Sequence, residues 1–304
     1  MKRLLFLVGD GIGNQAQTIP TFLHARKKYN CPIDVYNSIP RNTDSTLTMF
    51  KSIAERIYVK EEKITTKHYD GQILTYPFFQ KSYPKLRVIS QNVSNLMKKK
   101  HHSEVDMNLR CLGAGSSKHH DFSGCYKIFD WIEPQADTPD IILHDGFSKV
   151  SNLAKRTWLV KSYPHYVELA KLLVDAGYSV GSIGAEDEYV AGTQKLTGLN
   201  FTDSLAHMKG CKLFISNDTG TYHLANLLAK KNIVLFTASD NIKNYDRHFH
   251  RFSTIIQRDD LACQPCHLKR EFNYWNKKGV REECGWECRN INPNAILEKV
   301  KELT

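Results

Sequence analysis

Two glycine-bearing turns in this chain have the composition of sites for anions and hydroxyls. The first, Gly9-Asp10-Gly11-Ile12-Gly13-Asn14, follows an apolar run at 4–8 and precedes a helical stretch that holds Gln17. Glycines there let the backbone turn tightly and bring the N–H groups and positive end of a helix close to a ligand. The spacing misses the dinucleotide fingerprint, because Asn14 and Ala16 stand where a third glycine is needed. Asp10 is an acid at the carboxyl end of a strand, where open α/β sheets bind ligands, and is the candidate general base; a bare turn is the alternative. The second turn, Ser216-Asn217-Asp218-Thr219-Gly220-Thr221-Tyr222-His223, again joins a strand to a helix. Asp218 and Thr219 can cap that helix while Gly220 and the following N–H groups face an anion such as a pyrophosphate. Capping alone, with His223 a packed core residue, is the plainer alternative.

Two further loops belong to the same edge. Gly184-Ala185-Glu186 offers a carboxylate for a ribose or sugar hydroxyl, and the loop from His144-Asp145-Gly146 to Lys155-Arg156-Thr157-Trp158 supplies cations. Near the C-terminus, Cys263-x-x-Cys266 and Cys284-x-x-x-Cys288 are separated by 17 residues and share a loop with Pro265, Gly279 and Gly285. That spacing suits a tetrahedral thiolate site for a structural Zn or Fe, and such a site would supply folding free energy to a loop that lacks its own core. Disulfides or inert thiols are the competing readings. The sequence holds no Asp-x-Asp, so no catalytic metal is expected.

The elements that position these residues alternate. Strands are predicted at 4–8, 34–36, 57–59 and 73–75, with helices up to residue 29 and near 46–54, an alternation that argues βαβ units and a parallel sheet. The stretch 133–139, with two prolines and small polar residues, reads as a linker between domains 1–135 and 136–304. Two domains of about 150 residues can each bury a core. In the second, strands are expected at 141–144, 179–183, 213–216 and 233–236. Helices are expected from about 162, with Tyr166, Leu169, Ala170, Leu173 and Val174 on one apolar face, and near 187–195, 204–209 and 221–230. Beyond a cysteine-bearing loop (259–290), Pro293 opens a closing helix with Ile296, Leu297 and Val300 inward.

Of the net charge of +10, residues 1–135 carry +8, densest at Lys98-Lys99-Lys100-His101-His102. A polyanionic partner explains this, as does solubility. No apolar run approaches the length that spans a bilayer, and the apolar start runs into Gly9-Asp10-Gly11 rather than a signal-peptide cleavage site. Cys31, Cys111, Cys125 and Cys211 are scattered without partners, which favours a reducing, cytoplasmic setting over a disulfide scaffold.

Together the four loops resemble glycosyltransferase family nine, the heptosyltransferase-like family. The resemblance rests on the Gly-rich first loop followed by Thr18-Ile19-Pro20, on Lys155-Arg156-Thr157-Trp158 before a helix, on Gly184-Ala185-Glu186, on Asp218-Thr219-Gly220 with His223, and on the cysteine-bearing tail. It implies an α/β, GT-B fold: two Rossmann-like doubly wound domains facing across a cleft. It also implies transfer of a sugar, with inversion, from a nucleotide-diphosphate donor. The C-terminal domain would bind the donor through Gly146, Lys155, Arg156, Gly184, Glu186, Asp218, Thr219, Gly220 and His223. Among these, Glu186 would hold the nucleoside, Asp218 the sugar hydroxyls, Gly220 and His223 the diphosphate, and Arg156 the departing charge. The N-terminal domain would bind the acceptor, with Gly11, Gly13, Gln17, Lys98, Lys99 and Lys100 the candidates. The family's catalytic aspartate falls at Asn14, whose amide cannot take a proton, which leaves Asp10 as the substitute. The implied acceptor is a phosphorylated lipopolysaccharide or surface glycan. A hydroxymethylated DNA base is the alternative, and a protein acceptor or a non-catalytic nucleotide-binding module are lesser ones.

Overall fold

A strand covered by helices on both faces must be apolar at every position. β1 (Leu4–Leu7) meets that condition, with all four side chains fully buried. The computed structural model describes residues 3–9, 11–37, 43–59, 64–75, 83, 85–90, 102–146, 161–239, 241–261, 264 and 286–304. They fall into two units: Met1–Trp131 with Ile242–Arg251, and Ile132–Asn241 with Phe252–Thr304.

In the first unit, β1 lies in an all-parallel sheet with β2 (Ile33–Asn37), β3 (Ile57–Val59) and β4 (Gly71–Leu74), in the order β3-β2-β1-β4. The helices are α1 (Ile12–Tyr29), α2 (Thr43–Phe50) and α3 (Glu104–Cys111). Phe6 of β1, Phe22 of α1 and Phe50 of α2 meet edge to face, with Phe22 centroids 5.1 and 5.5 Å from the other two rings. Such aromatic contacts lock a helix to its sheet beyond simple area burial. At the opposite rim, the buried Asp34 carboxylate accepts from Arg3 Nη1 at 2.7 Å and from the Tyr69 hydroxyl at 2.7 Å. Burial, followed by that hydrogen bond, raises the Tyr69 hydroxyl well above its ordinary value.

α3 begins where Ser103 accepts the Asp106 N–H, with Glu104 and Asp106 in the first turn and Arg110 in the last, a charge order that suits the helix dipole. The returning segment Ile242–Arg251 is fastened here. Ser103 Oγ donates to Asp246 Oδ2 at 2.5 Å, the Tyr126 hydroxyl donates to the Phe249 carbonyl at 2.6 Å, and the Phe249 ring is fully buried against Phe122 and Tyr126.

The second unit is a six-stranded parallel sheet of β5 (Ile141–His144), β6 (Val180–Gly184), β7 (Gln194–Thr197), β8 (Leu213–Asn217), β9 (Asn232–Phe236) and β10 (Ser253–Gln257), ordered β10-β9-β8-β5-β6-β7. Its helices are α4 (Tyr166–Asp175), α5 (Phe201–Gly210), α6 (Gly220–Leu227) and α8 (Pro293–Leu303); the short α7 (Asn241–Asn244) starts the segment that returns to the first unit. Tyr166, Leu169, Ala170 and Leu173 of α4 share one core with Ile296, Leu297 and Val300 of α8. Val174, expected on that face, is 46% exposed, so the apolar stripe is narrower than its spacing suggests.

One other expectation needs correction. No helix spans 187–195. Glu186–Glu188 forms a single 3-10 turn, the chain passes Gly192 at φ +85°, and Gln194–Thr197 pairs with Gly181 to Gly184 as the edge strand β7. Gln194 and Lys195 face solvent there, so the strand lacks the apolar alternation that would have marked it. The proline-bearing stretch 133–139 is tied to α5, since Gln135 N–H donates to the Ala206 carbonyl at 3.1 Å and Thr138 Oγ1 lies 3.1 Å from His207 Nδ1. No helix among the described residues is long and apolar enough to cross a membrane.

Candidate functional site

The chain leaves β5 toward β6 and β7, then crosses back to build β8, β9 and β10 on the other side. Where the strand order reverses, the crossover helices diverge and leave a crevice outside the carboxyl ends of the strands, which is where open α/β sheets bind ligands. In this unit that point lies between β5 and β8, with His144 in register with Ser216. The polar residues at the two strand ends are therefore neighbours by topology.

One buried amide braces the crevice. Asn217 Oδ1 accepts the Tyr163 N–H at 3.1 Å and the Tyr166 hydroxyl at 3.2 Å, and Asn217 Nδ2 donates to the Gly146 carbonyl at 3.3 Å. The loops after β5 and β8 and the approach to α4 are thus held by a single side chain. Just beyond it, Asp218 is nearly fully buried and Lys161 Nζ donates to its Oδ2 at 2.9 Å and to its carbonyl at 3.3 Å. Both charges are largely out of water, where each costs several kcal/mol unless paired. The Lys161 segment is steadied by Arg289, whose Nε donates to the Ser162 carbonyl at 2.7 Å. Burial lowers the Arg289 guanidinium from its ordinary value.

Thr219 occupies the N-cap position of α6 in extended geometry, yet its hydroxyl makes no capping bond, contrary to the expected cap. It lies instead 2.8 Å from Thr221 Oγ1, which is 3.1 Å from His144 Nδ1. The other ring nitrogen, His144 Nε2, is 3.6 Å from Glu188 Oε2, and that oxygen accepts the Ala185 N–H at 2.9 Å. Two glycines make room for this line of groups. A Cβ at Gly146 would run into the His144 ring, and Gly184, at φ +141°, would carry one into the Glu188 carboxylate. The first-turn N–H groups of α6 have no acceptor within their own helix, so the crevice also presents donors and a positive helix end.

The structure brings together Gly146, Gly184, Asp218, Thr219 and Gly220 at the carboxyl edge of β5, β6 and β8. His223 is buried in α6, its ring 3.8 Å from that of Tyr222. Glu186 lies on the same 3-10 turn, but its side chain is exposed and paired with Lys195. On that turn it is Glu188 whose carboxylate faces His144. Neither Glu188, Lys161 nor Thr221 was singled out by sequence; only the position of Thr221 inside the second glycine turn hinted at its place. In the first unit, Gly11 starts α1 and Gly13 and Asn14 stand in its first turn. Gln17 is buried and its Nε2 donates to Glu104 Oε2 at 3.0 Å. Lys243 Nζ approaches the other Glu104 oxygen at 3.9 Å. Asp10, Lys98, Lys99, Lys100, Lys155, Arg156, Cys263, Cys266 and Cys284 lie outside the described residues. Cys288 is buried, and among the described residues Cys31, Cys111, Cys125 and Cys211 are free thiols.

Two parallel, doubly wound α/β units define the GT-B class of fold, and comparison with solved structures agrees over nearly the whole chain. E. coli heptosyltransferase WaaC with ADP superposes with a TM-score of 0.65 at 15% identity, covering 99% of this chain and 100% of that one. The iron-containing dodecameric glycosyltransferase TibC from enterotoxigenic E. coli gives 0.66 at 12% identity, covering 99% and 78%. In sequence, residues 147–273 match glycosyltransferase family 9 (heptosyltransferase). A relative, lipopolysaccharide heptosyltransferase 2 of Escherichia coli (strain K12), is 30% identical in an alignment 96 residues long that covers 26% of this chain and 28% of that relative. The chain therefore resembles glycosyltransferase family 9 in sequence over residues 147–273, and its fold is similar to that of the solved heptosyltransferases.

Proposed function

We propose that this chain is an inverting glycosyltransferase that moves a sugar from a nucleotide-diphosphate donor to a hydroxyl of an anionic acceptor, a phosphorylated lipopolysaccharide core or surface glycan. The observation that carries this reading is the buried Lys161–Asp218 pair beside the start of α6 at the β5/β8 reversal, inside the stretch that matches family 9. A cation and helix N–H groups suit a diphosphate, and an acid beside them suits sugar hydroxyls. The solved complex of WaaC with ADP adds to this reading.

In the proposed mechanism a carboxylate takes the acceptor proton as the hydroxyl attacks the anomeric carbon from the face opposite the diphosphate. Asp10 is the candidate base, since Asn14 cannot accept a proton. Charge then grows on the leaving diphosphate, where Lys155, Arg156, Lys161 and the N–H groups at Gly220 stabilise it. Gly146, Gly184, Thr219 and His223 line or shape the donor pocket. Of the two nearby carboxylates, Glu188 joins Glu186 as a candidate for the donor's hydroxyls. Gly11, Gly13, Gln17, Lys98, Lys99 and Lys100 form the acceptor side, and the +8 carried by residues 1–135 matches a phosphorylated acceptor. That same charge keeps a DNA acceptor as the second reading; binding to DNA that falls steeply with salt would favour it. The four thiols at 263, 266, 284 and 288 have the donor set for a structural Zn or Fe, and TibC is an iron-containing protein.

A panel of nucleotide-diphosphate sugars incubated with phosphorylated core oligosaccharide tests the proposal. One donor is expected to release its nucleoside diphosphate and give a product of inverted anomeric configuration by NMR. Asp10→Asn is expected to bind that donor yet transfer about 10²–10⁴-fold more slowly. Retention of configuration, or no transfer from any donor to any acceptor, contradicts it.

A further inference from the structure

His144 stands between a carboxylate on one side and a pair of hydroxyls on the other, at the end of a strand where a helix N-terminus opens. The Glu188 carboxylate, 3.6 Å from Nε2, favours a hydrogen on that nitrogen over a lone pair, and the Nε2–H tautomer is the one taken for the neutral ring. What changes is Nδ1. In the neutral ring Nδ1 is a lone pair, so Thr221 donates to it at 3.1 Å and Thr219 donates to Thr221 at 2.8 Å. Both hydroxyl hydrogens then point inward, and the crevice sees oxygen lone pairs, which repel a phosphate. In the protonated ring Nδ1–H donates to Thr221 Oγ1, and a hydroxyl hydrogen is released toward the crevice with a positive charge behind it.

We propose that His144 is a positioning residue for the donor's diphosphate: it takes a proton from solvent as the anion arrives, turning the Thr219–Thr221 hydroxyls from acceptors into donors. The inference rests on the reading of this crevice as the diphosphate site. Glu188, from the turn after β6, favours the imidazolium, while the positive end of α6 opposes it until an anion is bound. Asp145 follows His144 in the chain, and Asp218, next to Thr219, is neutralised by Lys161. Proton and anion therefore bind with positive linkage. Gly146 and Gly184 keep the ring and Glu188 at this spacing, because any Cβ there would displace one or the other.

Titration calorimetry of the full chain with ADP, and in parallel UDP, GDP and CDP, in two buffers of different ionisation enthalpy near neutral pH reads the protons taken up. The terminal phosphate of the ligand titrates near pH 6, so the decisive quantity is the difference between wild type and His144→Gln. Wild type is expected to take up close to one proton more per nucleotide than His144→Gln, and its affinity is expected to rise several-fold as the pH is lowered by one unit, a slope the variant flattens. Glu188→Gln, which keeps the ring, is expected to reduce the uptake and serves if His144→Gln fails to fold. Equal uptake in all three proteins, with nucleotide bound, overturns the role of His144 while leaving the diphosphate site standing. Binding of none of the four nucleotides overturns the site and the inference with it.

Discussion

Asp218 illustrates what a single residue's burial costs and why its partner matters. A carboxylate at the end of β8 with 3% side-chain exposure holds its charge because Lys161 lies 2.9 Å away. Replacing Lys161 with Met leaves that charge buried without its cation, and is expected to lower stability by about 3–5 kcal/mol. The double variant Lys161→Met/Asp218→Asn is expected to recover most of the loss in urea unfolding while still failing to bind donor. A single variant that unfolds like wild type would show that the pair is not buried in solution. At this scale the sequence was informative where polar residues sit between a strand and a helix, as at Asp218, Thr219 and Gly220. It was silent on Lys161, a lone lysine ahead of Ser162-Tyr163-Pro164, whose meaning comes from the loop that folds it onto Asp218. Nor could it choose between Glu186 and Glu188, which a single 3-10 turn aims in different directions, one at Lys195 and one at His144.

Elements carry the next level of consequence. α3 is short, and its start depends on Asp106, which accepts from Arg110 Nε at 2.5 Å, from the Ser117 N–H at 2.6 Å and from His102 Nδ1 at 2.8 Å. Burial pushes the Asp106 carboxyl up, but the hydrogen bonds from Arg110 and Ser117 outweigh it and hold the group below its ordinary value. A carboxylate lowered by folding stabilises the native state above its unfolded value of about 3.9, and the effect disappears as the pH falls through the lower folded value. Asp106→Asn is therefore expected to cost about 1–3 kcal/mol at neutral pH. That difference should shrink below about pH 4 in urea titrations across pH; a gap that is constant with pH would contradict the assignment. The cysteine-bearing loop belongs to this scale too. Metal analysis of the purified chain is expected to find a stoichiometric Zn or Fe that a variant with serine at 263, 266, 284 and 288 lacks, and an intact protein free of metal contradicts the thiolate site. Buried strands such as β1 and β8 were legible because continuous apolar runs leave no other fate. β7 was not, since an edge strand with Gln194 and Lys195 outward looks like a helix or a loop until Gly184 is seen pairing with Thr197.

For the whole molecule, the alternation of apolar runs and helical stretches was enough to indicate two doubly wound units, because parallel strands require crossovers and crossovers require helices. The return of Ile242–Arg251 to the first unit was not legible. It depends on Asp246 meeting Ser103 and on Phe249 filling a gap beside Phe122, contacts between residues more than a hundred positions apart. The strand order that places the crevice, with β8 beside β5 rather than beside β7, is likewise a property of the completed sheet.

The proposed function requires a nucleotide-diphosphate sugar to seat at the reversal between β5 and β8. Backbone hydrogen exchange with and without a saturating donor, the one selected by transfer, addresses it most directly. Slowed exchange is expected at the amides of 144–146 and 219–222, with α8 unchanged. Bound donor with protection confined to other segments, or with none at these amides, would place the donor site elsewhere and overturn the proposed function of this crevice.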